Sequence, residues 1–140
     1  PLIQTGLRAG QFLHPSTKVS AYEWVQKNPN STILAERHSV PSLSVNDRVD
    51  MVDTLADFAS VSEIKSQGFS HVATSSFRAG FYCDDPVRFP EENLFYEELR
   101  KQTVSATFKP SLWQRGPVIT IYELLPGGLA SYCTTSRKAA

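Results

Sequence analysis

Charged, hydroxyl and imidazole side chains cluster at the ends of two segments that the sequence predicts to be strands, the short apolar run at residues 32–35 and residues 69–75. Ligands of open α/β sheets bind beyond the carboxyl ends of parallel strands, and a long loop predicted over residues 77–90 would lie over the same edge. The side chains expected to contact a ligand or a partner there are Glu36, His38, Ser75, Ser76, Arg78 and Arg88.

A hydrolytic triad can be drawn from part of this set. Ser75 or Ser76 would be the nucleophile and His38 the base, with Asp47 or Asp84 orienting the imidazole. Neither serine lies in the Gly-x-Ser-x-Gly turn that exposes an activated serine. We favour the alternative that the serines cap a strand end and the histidine is a solvated loop residue, so no catalytic residue is predicted.

Nucleotide and metal motifs are missing from the sequence. It contains neither Gly-x-Gly-x-x-Gly nor Gly-x-x-x-x-Gly-Lys-Ser/Thr, and the connection after the first strand has no glycine that would let the backbone approach a phosphate closely. No histidine or cysteine pair has the spacing of a zinc site. Asp84 and Asp85 are adjacent and lack the alternating oxygen ligands and the glycine of a calcium loop. We therefore expect no metal and no cofactor.

Four aromatic side chains and two arginines share the predicted loop: Phe77, Phe81, Tyr82, Phe89, Arg78 and Arg88. Aromatic and guanidinium groups together suit contacts with sugars or proteins. The same rings could instead fold back on the sheet edge as a small satellite core. The second interpretation is the favoured one, and the first stays open.

Composition excludes several classes of partner. Lys and Arg number 14, as do Asp and Glu, so the chain lacks the basic excess of a nucleic-acid-binding domain. The same balance gives no reason to expect an anionic membrane surface as partner. No run approaches the roughly 20 apolar residues of a membrane span, and no signal peptide is visible. Cys83 and Cys133 allow one disulfide or none, and their spacing does not decide between these.

Hydrophobic periodicity and turn residues predict the order α-β-α-β-α-β-β. Helices are predicted after Ser16-Thr17, after Asn46 or Asp47 with Val49, Val52, Leu55 and Phe58 on one stripe, at Ser62–Gln67, and at Glu91–Gln102; the strands are residues 32–35, 69–75, 104–109 and 118–124. This order predicts a small three-layer α/β sandwich with a mixed sheet of about four strands, three parallel plus a C-terminal antiparallel hairpin. Residues 1–15 are interpreted as a leader, 16–126 as a single domain and 127–140 as a polar tail.

Four segments share their order and spacing with a known family. They are residues 21–28 with 31–36, residues 68–76, residues 95–99, and residues 108–110 with 116–124. Their patterns are Ala-x-x-Trp-Val then Ile-Leu-x-Glu, Gly-x-x-His-Val-Ala-x-Ser, Phe-Tyr-x-x-Leu, and Phe-x-Pro then Gly-Pro-x-Ile-x-Ile-Tyr. Across about residues 16–125 the chain resembles the extracytoplasmic domain that follows the last membrane helix in dolichyl-phosphate-mannose protein mannosyltransferase-like (ArnT-like) membrane glycosyltransferases.

The resemblance implies a non-catalytic accessory domain on the periplasmic or extracellular face of a membrane. It would belong to a glycosyltransferase that uses a polyprenyl-phosphate sugar donor, and would bind the acceptor or have a structural role. Its implied partners are the membrane-embedded part of the same polypeptide and a glycan or protein acceptor, and the family's catalytic residues are expected in the membrane part. The chain departs from the family at Ser16-Thr17-Lys18, where members often have Asp-Thr-Arg. The alternative is a free-standing small-ligand or protein-interaction module.

Overall fold

A single mixed sheet of five strands forms the centre of the computed structural model, which describes residues 15–41 and 46–124. The strands are β1 (Ile33–Glu36), β2 (Val49–Val52), β3 (His71–Ser75), β4 (Thr103–Phe108) and β5 (Ile119–Glu123). Their order across the sheet is β2-β1-β3-β5-β4. β1 pairs in parallel with β2 and β3, and β5 pairs antiparallel with β3 and β4. The predicted α/β class and C-terminal hairpin are therefore confirmed, with one strand more than expected.

Helices cover both faces of the sheet, as the predicted three-layer sandwich requires. They are α1 (Thr17–Lys27), α2 (Val61–Ser66), α3 (Ser76–Cys83) and α4 (Pro90–Arg100), with a short 3-10 helix at Leu55–Asp57. Ile33 and Ala35 of β1 pack with α1, whereas Leu34 packs with α2 and α4 on the other face. Every residue of β1 is buried, which agrees with the prediction of a strand covered on both sides.

α1 begins and ends where the sequence predicts, but its first turn is held differently. Ser16 occupies the capping position without a side-chain capping bond, whereas Thr17 donates its hydroxyl hydrogen to the Pro117 carbonyl over 2.8 Å. Ala21 and Val25, four residues apart, bury one stripe of the helix against the sheet. At the other end the Asn28 side chain donates to the Trp24 carbonyl, which closes the last turn.

The helix predicted after Asn46 is wrong, because this segment forms β2 and then the 3-10 helix. The Asn46 side chain does accept hydrogen bonds from the Arg48 and Val49 amides, as a helix cap would. Here those bonds close a tight turn into a strand, since Val49 pairs with Ile33 of β1. Tertiary pairing at the edge of a parallel sheet overrides the helical spacing. Thr54 rather than Asn46 caps the helical turn that follows.

The loop predicted over residues 77–90 is also wrong in its first half, where α3 begins directly after β3. No residue of α3 is fully buried, and its two phenylalanines four residues apart, Phe77 and Phe81, face solvent rather than the core. Ala79, Tyr82 and Cys83 pack partly against the core. The loop is confined to residues 84–89.

The other predicted elements are confirmed within one or two residues at most boundaries. α2 and α4 match the helices predicted at 62–67 and 91–102, and α4 has Pro90 at its start and two glutamates in its first turn. The leader up to residue 14, the polar tail and Cys133 lie outside the described residues.

Candidate functional site

A fully buried carboxylate, Glu36, ends β1 on the face that α4 covers. Five groups donate hydrogen bonds to it, namely the amides of Leu55 and Ser75 and the hydroxyls of Thr54, Thr74 and Tyr96. The Thr74 hydroxyl lies 2.6 Å from Oε2, and the Leu55 amide lies 3.1 Å from Oε1. We call these groups the Glu36 cluster. It joins β1 to β3, to the 3-10 helix and to α4.

Electrostatics in the Glu36 cluster favour neutral groups. Burial raises the pKa of the Glu36 carboxyl, and the hydrogen bonds from Thr74 and Tyr96 act in the opposite direction. The pKa of the Tyr96 hydroxyl is raised well above its usual range, first by burial and then by the neighbouring carboxylate. Tyr96 therefore stays protonated at any pH the protein meets and keeps its hydrogen to donate.

Two predicted contact residues are thus sealed inside the protein. Glu36 has no surface exposed, and Ser75 is also buried. The Ser75 hydroxyl has no hydrogen-bond partner in the structure, although its residue precedes α3 at the capping position. Neither side chain reaches a ligand at the surface in this conformation.

An open cavity of about 270 Å³ lies just beyond the Glu36 cluster, at the carboxyl edge of the sheet. Its lining residues are Lys18, His38, Ser76, Phe77 and Pro117, and we call this set the open edge. The edge is assembled from the first turns of α1 and α3, the turn after β1 and the residues that lead into β5. His38 has a φ of 74°, a left-handed conformation uncommon for a residue with a side chain. Its ring meets that of Phe77 edge-on, with centroids 4.9 Å apart.

Positive charge surrounds the imidazole of the open edge. Burial lowers the pKa of His38, and the charges of Lys18, Arg78 and Arg37 lower it further. Asp53 opposes them and forms an exposed ion pair with Arg37 at 3.0 Å. Within residues 15–41 and 46–124, Lys18 and Arg78 form no ion pair.

A second groove of about 520 Å³ runs along α3 and shares two lining residues, Ser76 and Phe77, with the open edge. Its remaining lining residues are Arg78, Gly80, Phe81 and Asp84. Phe77 is 65% exposed and Phe81 is 56% exposed, and the two are four residues apart on one helix. The Arg78 Nε atom is buried and has no hydrogen-bond partner.

The aromatic cluster predicted from the sequence divides into two parts. Tyr82 stacks on Tyr96 with ring centroids 5.9 Å apart and joins the core, as the satellite-core interpretation predicts. Phe89 bridges the Tyr82 and Phe81 rings. Phe77 and Phe81 instead present most of their surface to solvent, where they are available to a ligand or a partner.

Arg88 lies in the loop before α4. Its guanidinium carbon is 5.1 Å from the centroid of the Phe89 ring, and its amide donates to the Asp85 side chain. It lines neither the cavity of the open edge nor the groove along α3. Of the six predicted contact residues, the structure therefore brings His38, Ser76 and Arg78 together at the surface, and places Glu36 and Ser75 beneath them.

The described residues contain neither a hydrolytic triad nor a metal site. No hydrogen bond there joins His38 to Ser75 or Ser76, and the Ser76 hydroxyl accepts from the Val118 amide. Residues 15–41 and 46–124 contain no group of three His, Cys, Asp or Glu side chains placed to hold a metal ion. In the same ranges, no helix has the length and apolar character needed to cross a bilayer.

A third cavity, of about 400 Å³, lies at the opposite edge of the sheet, where β1 and β3 begin. Ser70 and His71 line it together with the loop after α1. Thr32 and Ser70 exchange backbone and hydroxyl hydrogen bonds beside it, so the polar groups there already have partners.

Sequence reasoning missed several residues of both sites. Thr54 fell in a segment predicted as helix, and Tyr96 had no signal other than its place in a resembling segment. Lys18 and Pro117 join the open edge from elements far from His38 and Ser76 in the chain, whereas Phe77 had been named in the aromatic set. No family model, no curated protein and no solved structure matches the chain.

Proposed function

We propose that this chain is a non-catalytic accessory domain of a membrane glycosyltransferase that uses a polyprenyl-phosphate sugar donor. In this proposal the domain stands on the extracytoplasmic face, beside the membrane-embedded part of the same polypeptide. That part performs the transfer, and the domain positions the acceptor glycan or protein or stabilises the enzyme.

Three of the four resembling segments contribute residues to one buried cluster, and this observation supports the proposal most strongly. The glutamate of the first segment is Glu36, the serine that ends the strand segment is Ser75, whose amide donates to Glu36, and the tyrosine of the Phe-Tyr-x-x-Leu segment is Tyr96. These three residues belong to the buried Glu36 cluster. The residues that carry the resemblance thus have a structural task, which is what a shared accessory fold without its own chemistry requires.

The fourth resembling segment, which contains Gly116 and Pro117, also connects two elements of the fold. Gly116 has a φ of 133°, and a side-chain carbon placed on it would lie 2.0 Å from the Thr17 hydroxyl oxygen. Only glycine allows this approach, and it lets Thr17 bind the Pro117 carbonyl. Gly116 and Pro117 therefore hold the first turn of α1 in place through Thr17, which is again a structural role.

The gene provides the most direct test. The proposal expects the reading frame to continue upstream of this sequence with about a dozen apolar segments, each of the roughly 20 residues that span a bilayer. A reading frame that encodes no such segment contradicts it.

A functional test uses membranes that contain the whole polypeptide. We expect removal of residues 16–126 to lower or abolish glycosyl transfer, and the isolated domain to catalyse none. Glu36→Ala in the whole polypeptide should lower transfer in the same direction because it destabilises the domain in place, whereas Tyr82→Phe should leave transfer unchanged. Transfer by the isolated domain would contradict the proposal.

The open edge supports a second candidate, a free-standing module that binds a small ligand or a protein. His38, Ser76 and Arg78 lie there next to two exposed phenylalanine rings. A thermal-shift screen of sugars and nucleotides tests it, since a ligand at a hundredfold excess over its dissociation constant adds about 2.7 kcal/mol of stability. A reading frame without membrane segments together with a ligand-induced shift would favour this candidate over the first.

A further inference from the structure

The open edge has more positive charge than its surroundings neutralise. Lys18, Arg37 and Arg78 all act on the His38 imidazole, and the carboxylate that opposes them is that of Asp53. Asp53 is engaged by Arg37, which leaves Lys18 and Arg78 without a carboxylate partner among the described residues. The chain as a whole has equal numbers of acidic and basic residues, yet this edge of the sheet has an excess of cations. The electric field of such an excess attracts anions.

The polar groups that line the cavity are mainly hydrogen-bond donors, and the adjoining groove adds the Arg78 guanidinium together with one carboxylate, that of Asp84. The ammonium of Lys18 and the guanidinium of Arg78 can only donate. The Ser76 oxygen already accepts from the Val118 amide, so its own hydrogen is free to donate. The Nε–H of Arg78 is buried with no acceptor, an uncommon state for a guanidinium group. This set matches a ligand that has several acceptor oxygens and negative charge.

The sizes of the cavity and the groove limit the size of the ligand that would fit. The cavity of about 270 Å³ is small by the standard of ligand pockets, which hold drug-sized molecules at about 300–1,000 Å³. It opens at Ser76 and Phe77 into the larger groove along α3. A side-chain carbon placed on Gly80 would have no atom within 4 Å, so the groove is open there, and the two exposed rings supply an apolar wall. A small anionic head in the cavity and a bulkier organic part in the groove would fill both.

We propose that the open edge binds the phosphate group of a phosphate ester. Lys18, His38 and Ser76 line the cavity and hold the phosphate oxygens, Arg78 donates to them from the adjoining groove, and Phe77 and Phe81 cover the organic part. A phosphate has the charge and the acceptor oxygens that this set of donors lacks. The site stands on the two cavities and their charges alone, so it holds whether or not the domain accompanies a glycosyltransferase.

Titrations followed by NMR test the site on isotope-labelled protein. The soluble probes are inorganic phosphate and glucose 6-phosphate, with glucose as the uncharged control. We expect both phosphates to shift the signals of His38, Ser76 and Phe77, with tighter binding for the ester, and glucose to shift none of them. A second arm uses vesicles of phosphatidylcholine with about one quarter phosphatidylglycerol, compared with pure phosphatidylcholine.

Matched variants separate the site from general attraction of anions. Lys18→Gln and Arg78→Gln should each weaken phosphate binding about tenfold, the effect of one hydrogen bond to a charged group. Lys27→Gln removes the same charge from the other end of α1 and should leave binding unchanged. Phe77→Ser should weaken the ester and leave inorganic phosphate unaffected. Circular dichroism checks that each variant folds.

The outcomes are distinct. Binding of the soluble ester identifies a free phosphate compound as the ligand, and binding of the anionic vesicles alone identifies a lipid headgroup. The absence of any response, or an equal loss in Lys27→Gln, overturns the proposal. Neither result depends on what the upstream reading frame encodes, so failure of this site and failure of the proposed function are separate findings.

Discussion

Glu36 and His38 are two residues apart in the chain, yet they stand in opposite surroundings. Glu36 is fully buried, and five protein donors satisfy its oxygens. His38 turns outward in a left-handed conformation, and Lys18 and Arg78 near it have no carboxylate partner within the described ranges. The end of one strand therefore divides a sealed polar cluster from an open one.

The difference shows what each kind of polar group contributes. A buried carboxylate with complete hydrogen bonding makes the fold specific, because removal of either the carboxylate or its donors leaves unsatisfied polar groups in the core. Cations at the surface are solvated by water and contribute little to folding, so they remain available to bind. The two regions should accordingly respond in opposite ways to substitution.

The largest effect is expected from Glu36→Ala. The variant leaves the Leu55 and Ser75 amides and the Thr74 hydroxyl without their acceptor, and each buried group left unsatisfied costs about 1–3 kcal/mol. We expect the free energy of unfolding to fall by more than about 3 kcal/mol in urea denaturation. Tyr96→Phe, which removes one donor, should cost about 1 kcal/mol.

Tyr82→Phe is the control for these variants. The Tyr82 ring stacks on Tyr96, but its hydroxyl takes no part in the Glu36 cluster. Its removal should change stability by less than about 0.5 kcal/mol. A Glu36→Ala protein as stable as the wild type would mean that the sealed cluster does not hold the layers together.

Gly116→Ala should produce the next largest loss of stability. The left-handed φ of 133° costs about 1–3 kcal/mol for a residue with a side chain, and the added carbon would press on Thr17 beside the open edge. Gly68→Ala is the matched control, because Gly68 also has a positive φ but no atom within 4 Å of the added carbon. Thermal unfolding should show the Gly116 variant to be the less stable; equal losses would mean that contact with Thr17 contributes nothing.

The pH dependence of stability should differ between wild type and Glu36→Gln. Burial raises the pKa of Glu36 above its ordinary value near 4.5, so the folded state holds this proton more tightly than the unfolded chain. The stability of the wild type relative to the variant should be greatest below pH 4.5 and should fall as pH rises through the raised pKa. Denaturation of both proteins across this window measures the difference; a difference that grows with pH contradicts it.

The contributions of the histidines to the pH dependence of stability should be the same in both proteins and should cancel from that difference. The pKa values of His38 and His71 are lowered by burial, so their contribution to stability is lost as pH falls through the ordinary histidine range. That direction is opposite to the one expected for Glu36. Both proteins contain the same histidines, and only the carboxyl distinguishes them.

The smallest expected effect concerns the open edge alone. Lys18→Gln removes one of the charges that lower the pKa of His38, so this pKa should rise in an NMR titration of the imidazole. Stability should stay within about 0.5 kcal/mol of the wild type, since Lys18 is a surface cation without an ion pair in the described residues. An unchanged His38 pKa would show that the cations lie too far away to act together.

The sequence predicts the interior strands and the longer helices well, because their side chains pack on one another at regular spacing. β1 contains the apolar run Ile33-Leu34-Ala35, and α4 has Pro90 and two glutamates at its start and Arg100 in its last turn. β2 and α3 were predicted wrongly for different reasons. Among the described strands β2 pairs with β1 alone, and Val49 and Val52 happen to fit a helical spacing, whereas α3 buries no residue completely and its Phe77 and Phe81 face solvent.

The candidate site is predictable only in part. The rule that ligands bind beyond the carboxyl ends of parallel strands located His38, Ser76 and Arg78 correctly at one edge. The same rule does not tell whether a side chain at that edge is buried, because Tyr96 and Thr54, which seal Glu36, come from distant elements. Lys18 joins the site through the contact of α1 with Gly116 and Pro117, which no local pattern indicates.

The position of β5 has a consequence for how the protein folds during synthesis. β5 is the last described strand in the chain, yet it lies between β3 and β4 in the sheet. Until it leaves the ribosome, β3 has an unpaired edge and the start of α1 lacks the Pro117 carbonyl that holds it. Contacts between residues this far apart slow folding and leave an exposed strand edge in the meantime. The domain therefore has to be translated almost to residue 124 before its sheet can close.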